Sequence, residues 1–323
     1  MQVPNRSTAV PIESAMKRRG STARRIGAAT RWLTATLLWS APAPAIRKCV
    51  AVLALGAALG TAASAHPLSF GVIPQRTATL TAQYWNPILN YVSARSGVAL
   101  ELRLARSGPE HAAMIGSGSF DLAYSNHQLT PGNDAGGYRV FARPSGEAIR
   151  GEIVVLEQSS IRSLEELQGK EVGFPSRVAF VGYQVPMDTL ARAGIKVLPV
   201  FGGTQEGILG QLRAGRVAAA GVNSQIMRDF AEREKFGYRV LWRSEEFHNI
   251  PLIAHPRVPR AAVAAVREAL LAMAADPEGS KILAAGAELL KLDPPFGFVA
   301  SSDSDYDNAR TFLRASVLKA EER

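Results

Sequence analysis

The chain has 323 residues, 47% hydrophobic and 20% charged, which supports about two domains with real cores and excludes a disordered or fibrous chain. Its formal charge of +9 would suit a nucleic-acid partner if it were spread over the folded part. Residues 1–65 instead hold nine basic residues and one acid, and from His66 onward 28 basic residues face 27 acidic, so nucleic-acid binding has no electrostatic footprint there.

The first segment ends in Arg47 and Lys48, an apolar run from Val50 to Leu59, and Ala63-Ser64-Ala65. Basic, apolar and small residues in that order predict a secretory signal peptide cleaved after Ala65. The apolar run is too short and too rich in Gly and Ala to span a bilayer. A second apolar patch runs from Trp32 to Trp39, and translation from an internal start such as Met16 is compatible with this leader. Cys49 is the only cysteine and follows Ile46-Arg47-Lys48, which lacks the small apolar residues of a lipoprotein site. Cleavage would leave no thiol, which excludes disulfides, thiolate metal sites and cysteine nucleophiles.

Past His66, Leu68–Ile73 reads as an apolar strand and Pro74-Gln75-Arg76 as the turn after it. Leu80, Tyr84, Ile88 and Val92 recur every four residues, predicting an amphipathic helix over Thr77–Ser96 that Pro87 should kink. Gly97 ends it, and Val98–Leu104 is the next strand, so a βαβ unit opens an α/β domain. A helix over Pro109–Gly118 leads to a strand over Phe120–Tyr124 that stops at Ser125-Asn126-His127. Ligands bind beyond the carboxyl ends of strands in open α/β sheets, which singles out Arg76 and the Tyr124–His127 run. A surface ion pair for Arg76 and a loop hydrogen bond for His127 are the competing readings.

Strands follow at Tyr138–Arg143 and Gly151–Glu157, then the stretch from Leu164 to Leu190. This reads as a short helix, a strand over Glu171–Phe174, and a loop opening a second helix near Gly182. A helix start after a strand offers unpaired N–H groups and the positive end of the dipole, a seat for an anion. Two more strand-to-helix junctions carry polar side chains, Thr204-Gln205 and Asn223-Ser224, and Ser224 reads first as an N-cap. Strands at Gly194–Val200, Val217–Val222, Tyr238–Trp242 and Leu252–Ala254 alternate with helices at Gln225–Lys235, Arg260–Ala274 and Gly279–Leu290, and Asp303–Leu318 closes the chain as a helix.

The segments SFGVIPQR, YWNPILNYVSARSG, GSFDLAYSN, SLEELQGKEVGF, LRAGRVAAAGV, DPEGSKIL and FGFVASSDSDYDNAR occur in this order. Together they resemble the phosphate/phosphite/phosphonate-binding proteins of ABC importers over nearly all of residues 66–315. The resemblance implies the two-lobed type 2 periplasmic-binding fold, each lobe a mixed, mainly parallel sheet flanked by helices, joined by two hinge strands. The implied organisation is residues 66–150 in lobe 1, 151–250 in lobe 2, and 251–323 returning to lobe 1. It implies a periplasmic monomer without cofactor or metal, closing on a small ligand and presenting it to an importer permease or a membrane sensor kinase.

The departures from that family concern its ligand loop. Where members carry a Ser-Thr-Ser-Gly-Tyr run, this chain reads Ala179-Phe180-Val181-Gly182-Tyr183. The family's His after a Gly-Gly turn is Gln205, and its Asp in the strand after Arg216 is Ala218. Losing three hydroxyl donors argues against a phosphonate or phosphate ligand, because a tetrahedral oxyanion needs dense donors. The expected ligand set is Gln75, Arg76, Tyr84, Tyr124, Ser125, Asn126, His127, Ser176, Phe180, Gly182, Tyr183, Gln205 and Asn223. Arg76 would supply charge, Tyr124 and Tyr183 hydroxyls and ring faces, and the amides and His127 orienting hydrogen bonds.

Two other classes compete. An enzyme on this scaffold would need a base with an orienting partner, yet His66, His111, His127, His248 and His255 show no HxxH or HExxH spacing. His66 at a new N-terminus could bind copper or nickel. A regulator's effector domain shares the architecture, but the leader and the lack of DNA-binding helices speak against it.

Overall fold

Each of the two sheets begins with apolar strands whose ends feed helices. In the computed structural model, which describes residues 66–125 and 137–318, the first sheet gathers β1 (Leu68–Val72), β2 (Leu100–Leu104), β3 (Leu122–Tyr124), β4 (Arg139–Pro144), β10 (Leu252–Ala254) and β11 (Phe298–Ala300) in the order β11-β4-β10-β3-β1-β2. The second holds β5 (Gly151–Leu156), β6 (Glu171–Phe174), β7 (Leu198–Phe201), β8 (Ala219–Asn223) and β9 (Tyr238–Arg243) in the order β7-β6-β8-β5-β9. Parallel pairing is confined to β2-β1-β3 and β7-β6-β8, and every other neighbour is antiparallel. The leader with its expected cleavage site, and Asn126 and His127, lie outside the described residues.

Helix α1 (Ala78–Ser96) is capped by the Thr77 hydroxyl, which accepts from Leu80 N at 3.3 Å, and ends at Gly97 with φ 69°. The helix continues through Pro87, which lies on its exposed face. Its buried residues are Thr81, Trp85, Ile88, Leu89, Tyr91 and Val92, so Ile88 and Val92 face the core as expected. In the first half Thr81 and Trp85 take the place of Leu80 and Tyr84, and Tyr84 is left at the edge of the core. Helices α2 (Gly108–Gly116), α3 (Val185–Arg192) and α4 (Gln205–Arg213) each follow a segment beyond a strand end, and α5 (Ser224–Glu234) starts directly at the end of β8. A π-type turn over Phe180–Gln184 precedes α3. Helices α6 (Arg260–Ala272) and α7 (Pro277–Leu290) cover the first sheet beside α1, and α8 (Asp307–Ala315) ends the described chain. Nothing helical in the described residues is long and apolar enough to cross a membrane.

The chain passes between sheets after β4 and again after β9. The two passages pair through Ile149 and Phe247, whose backbones exchange hydrogen bonds of 2.8 Å. An apolar cluster of Ile73, Ile149, Phe180, Val185, Phe247, Ile250 and Leu313 fills this junction, with the Phe180 and Phe247 rings edge to face at 4.9 Å. The junction thus has a core of its own, separate from those on either sheet.

Candidate functional site

Three helix starts and the π-type turn before a fourth helix border one small cavity at the ends of the two sheets. Its wall includes Gln75, Gly108 at the start of α2, Ser176 and Ala179–Gly182 before α3, Gln205 at the start of α4, and Asn223 before α5. Helix starts carry the positive end of the dipole, but caps and carbonyls take most of the first-turn N–H groups here. Glu110 N donates to Ser107 Oγ, Glu206 N to Gln75 O, Gly207 N to Thr204 Oγ1, and Gln225 and Ile226 N to Asn223 Oδ1. Local sequence builds this cradle: Thr204 caps α4 by accepting from Gly207 N at 2.9 Å, and Asn223 caps α5 by accepting from Gln225 N at 2.9 Å. Gln205 is buried, and its Oε1 accepts from Asn223 N at 3.2 Å. Close approach requires glycine here, since a Cβ on Gly182 would sit 2.6 Å from Gln205 Nε2. The cradle encloses about 30 Å³, room for roughly two waters.

A second cavity of about 70 Å³ adjoins it, sharing Ile73 and Gln75. Its body is apolar and aromatic, with Trp85, Tyr84, Tyr124, Leu283, Leu290 and Phe296 from the first lobe and Ile226 of α5 from the second. The Trp85 and Tyr124 ring centroids are 5.1 Å apart and Trp85 meets Tyr84 edge to face at 5.5 Å. Polar groups enter at Arg76, Gln225, Asn249 and Asp293. Asn249 Nδ2 donates to Gln225 Oε1 at 2.9 Å, bridging a crossover segment to α5. Burial pushes the Tyr84 hydroxyl up to about 12 and raises that of Tyr124 further, so both are neutral groups at physiological pH.

Arg76 does not reach out with a spare charge. Its Nη2 lies 2.9 Å from Asp229 Oδ2 on α5, and its Nε is 3.9 Å from Glu206 Oε1 on α4. Glu206 is also held by Arg233 Nη2 at 2.6 Å, and its backbone N donates to Gln75 O at 3.1 Å. The side chain of Asp229 is 1% exposed and that of Arg76 12%. Burial pushes the Asp229 carboxyl up to about 7, outweighing the pull of Arg76. Asp229, Glu206 and Arg233 were not in the expected set. The signal for Asp229 was an acid beside Ile226, Met227 and Phe230, on the buried side of an amphipathic helix.

The expected residues therefore fall into groups. Gln75, Ser176, Phe180, Gly182, Gln205 and Asn223 meet at the cradle, and Gln75, Arg76, Tyr84 and Tyr124 at the aromatic chamber. Phe180 borders the cradle while its ring packs on Phe247 and Phe312 in the junction. Tyr183 departs from expectation. Its ring lies in the core of the second lobe against Phe174 and Phe201. Ser125 also departs: it is buried, 3.0 Å from His111 Nε2, and lines neither cavity. The cap of α5 is Asn223 rather than Ser224, whose hydroxyl accepts from Arg150 N at 3.0 Å on the crossover.

Comparison with known proteins places this geometry. The family of ABC transporter, phosphonate, periplasmic substrate-binding proteins matches residues 70–306. No curated protein matches the sequence significantly. Among solved structures, a binding protein component of an ABC phosphonate transporter from Pseudomonas aeruginosa is 20% identical, with a TM-score of 0.64 over 79% of this chain and 91% of that one. PhnD1 from Prochlorococcus marinus in complex with methylphosphonate is 15% identical, with a TM-score of 0.65 over 76% and 97%. A Xanthomonas citri protein bound to ATP is 16% identical, with a TM-score of 0.59 over 78% and 99%. At these identities the structures establish a shared fold, two mixed sheets flanked by helices in the type 2 periplasmic-binding arrangement. By its family match, the chain belongs to the phosphonate-type periplasmic substrate-binding proteins of ABC transporters.

Proposed function

We propose that this protein captures a small polar or singly charged anionic solute between its lobes and delivers it to the permease of an ABC importer. The observation that carries the reading is the convergence of three helix starts and a π-type turn, drawn from both lobes, on the cradle beside an aromatic chamber. Helix dipoles and the Gln205 and Ser176 side chains suit a polar head or a single negative charge, and the chamber suits a compact apolar body. The loop Ala179-Phe180-Val181 brings no hydroxyl to the cradle, which supports a ligand other than phosphonate. The basic and apolar leader supports export to the periplasm, with His66 as the first residue.

Service to a membrane sensor kinase rather than a permease is the second reading, favoured by the same loop, which departs from the transport family's pattern. Both use the same closure. A thermal-shift panel on the protein from His66 onward tests the shared claim, with amino acids, carboxylates, sulfur oxyanions, phosphate and methylphosphonate. We expect one class other than the phosphorus compounds to raise the melting temperature, and Gln205→Ala and Tyr84→Ala to abolish that response. Silence from every class, or a response unchanged in both variants, refutes the reading.

A further inference from the structure

Arg76 lines the chamber, and the groups packed around it carry charges that cancel. Arg76 comes from the first lobe, and Asp229, Glu206 and Arg233 come from the second. Arg76 Nη2 meets Asp229 Oδ2 at 2.9 Å, and Arg233 Nη2 meets Glu206 Oε1 at 2.6 Å. Two guanidiniums thus face two carboxylates, and neither guanidinium is left without one. Further out, Arg228 faces two acids, Asp293 Oδ2 at 2.9 Å and Glu147 Oε2 at 3.7 Å, and leaves no spare positive charge either. Asp229 Oδ1 is buried without a donor, and Arg76 Nε and Arg233 Nη1 are buried without a hydrogen-bond acceptor among the described residues, so neither sign is in excess there.

A solute phosphonate or phosphate would arrive where Arg76 is the first-lobe cation on the chamber wall and would find a carboxylate already on it. It would have to displace Asp229, leaving that acid buried without its partner, or lie beside a carboxylate of its own sign. We propose that Asp229 is a specificity-determining residue: a carboxylate carried by the second lobe occupies Arg76 on closure, so the cleft takes solutes that are neutral or cationic at that wall and turns away dianions. This rests on the reading of the cleft as a solute site and adds the charge class of what it takes.

Calorimetric titration at pH 8 with methylphosphonate and inorganic phosphate tests it, comparing wild type with Asp229→Asn. The variant keeps the shape of the side chain and frees the guanidinium. We expect it to bind either dianion at least about tenfold more tightly than wild type, and Arg76→Gln in the same background to remove the gain. Equal affinity in wild type and Asp229→Asn overturns the proposal, as does a gain that survives Arg76→Gln. Should Asp229→Asn fail to fold by circular dichroism, Asp229→Ser serves under the same criteria. A parallel panel of neutral and cationic solutes on wild type separates the two readings. Uptake there with no gain in the variant sinks the charge filter alone, and a gain with no uptake sinks the solute-binding reading alone.

Discussion

Arg76 and Asp229 stand 153 positions apart in sequence and meet at 2.9 Å across the cleft, one from each lobe. A buried pair is a weak source of net stability, yet removing one partner leaves a desolvated charge behind. Arg76→Met should therefore weaken the closed form by about 3 kcal/mol. Arg76→Met with Asp229→Leu should recover most of that loss. Urea unfolding of the four proteins in the cycle measures it, and additive losses would show that the two groups do not couple.

The titration of Asp229 predicts a pH dependence of known sign. Burial raises its carboxyl to about 7, with Asp293 adding to the rise and Arg76, Arg228 and Arg233 opposing it. The native state thus holds this proton more tightly than the unfolded chain, whose Asp ionises near its ordinary value. This group's favourable contribution is largest below that ordinary value and is lost as pH rises from about 4 to about 7. Unfolding free energies at pH 5 and pH 8 should show a shallower fall in Asp229→Asn than in wild type.

His111 should act in the opposite direction. Burial lowers its imidazole to about 4, beside Phe120 and Ser125. Its stabilising contribution is therefore complete above the ordinary histidine value of about 6.5 and is lost as pH falls towards about 4. His111→Gln should flatten the acid limb of the stability curve, and a variant that keeps the wild-type slope would remove His111 from the account.

Gly182→Ala tests the close packing of the cradle. The added methyl would stand 2.6 Å from Gln205 Nε2 and 3.0 Å from Pro175 Cγ, in a place where Gln205 already bonds the Asn223 backbone. We expect a loss of about 1–2 kcal/mol in thermal or urea unfolding. Gln205→Ser should relieve much of it. No relief would mean that Pro175, not Gln205, limits the space.

Phe180→Ala tests the junction. The ring is 2% exposed and packs on Phe247 and Phe312. Its removal should cost about 3–5 kcal/mol and let the lobes separate, seen as a larger radius of gyration in solution scattering.

Much of the architecture was legible because it follows local rules. Apolar periodicity and Gly or Pro punctuation marked β6 and β10 to the residue, and the order of segments carried the family resemblance. Boundaries slipped where tertiary packing decides: the strand expected from Gly194 begins at Leu198, since Gly194 is a left-handed turn at φ 70°. The three-residue β11 carried no pattern of its own and exists by pairing with β4. In the site, residues beside helix starts could be found from sequence, because a cap or a strand-end loop is local. The partner of Arg76 could not, and neither could the inward turn of Tyr183, because both depend on which helix faces which sheet.

Native mass spectrometry of the exported protein tests the central claim most directly. The solute-binding account predicts a chain beginning at His66 that carries one small solute at one-to-one stoichiometry, lost in Gln205→Ala and Tyr84→Ala. A bare chain that takes up nothing when incubated with a periplasmic small-molecule extract, or an adduct that both variants retain, would contradict it.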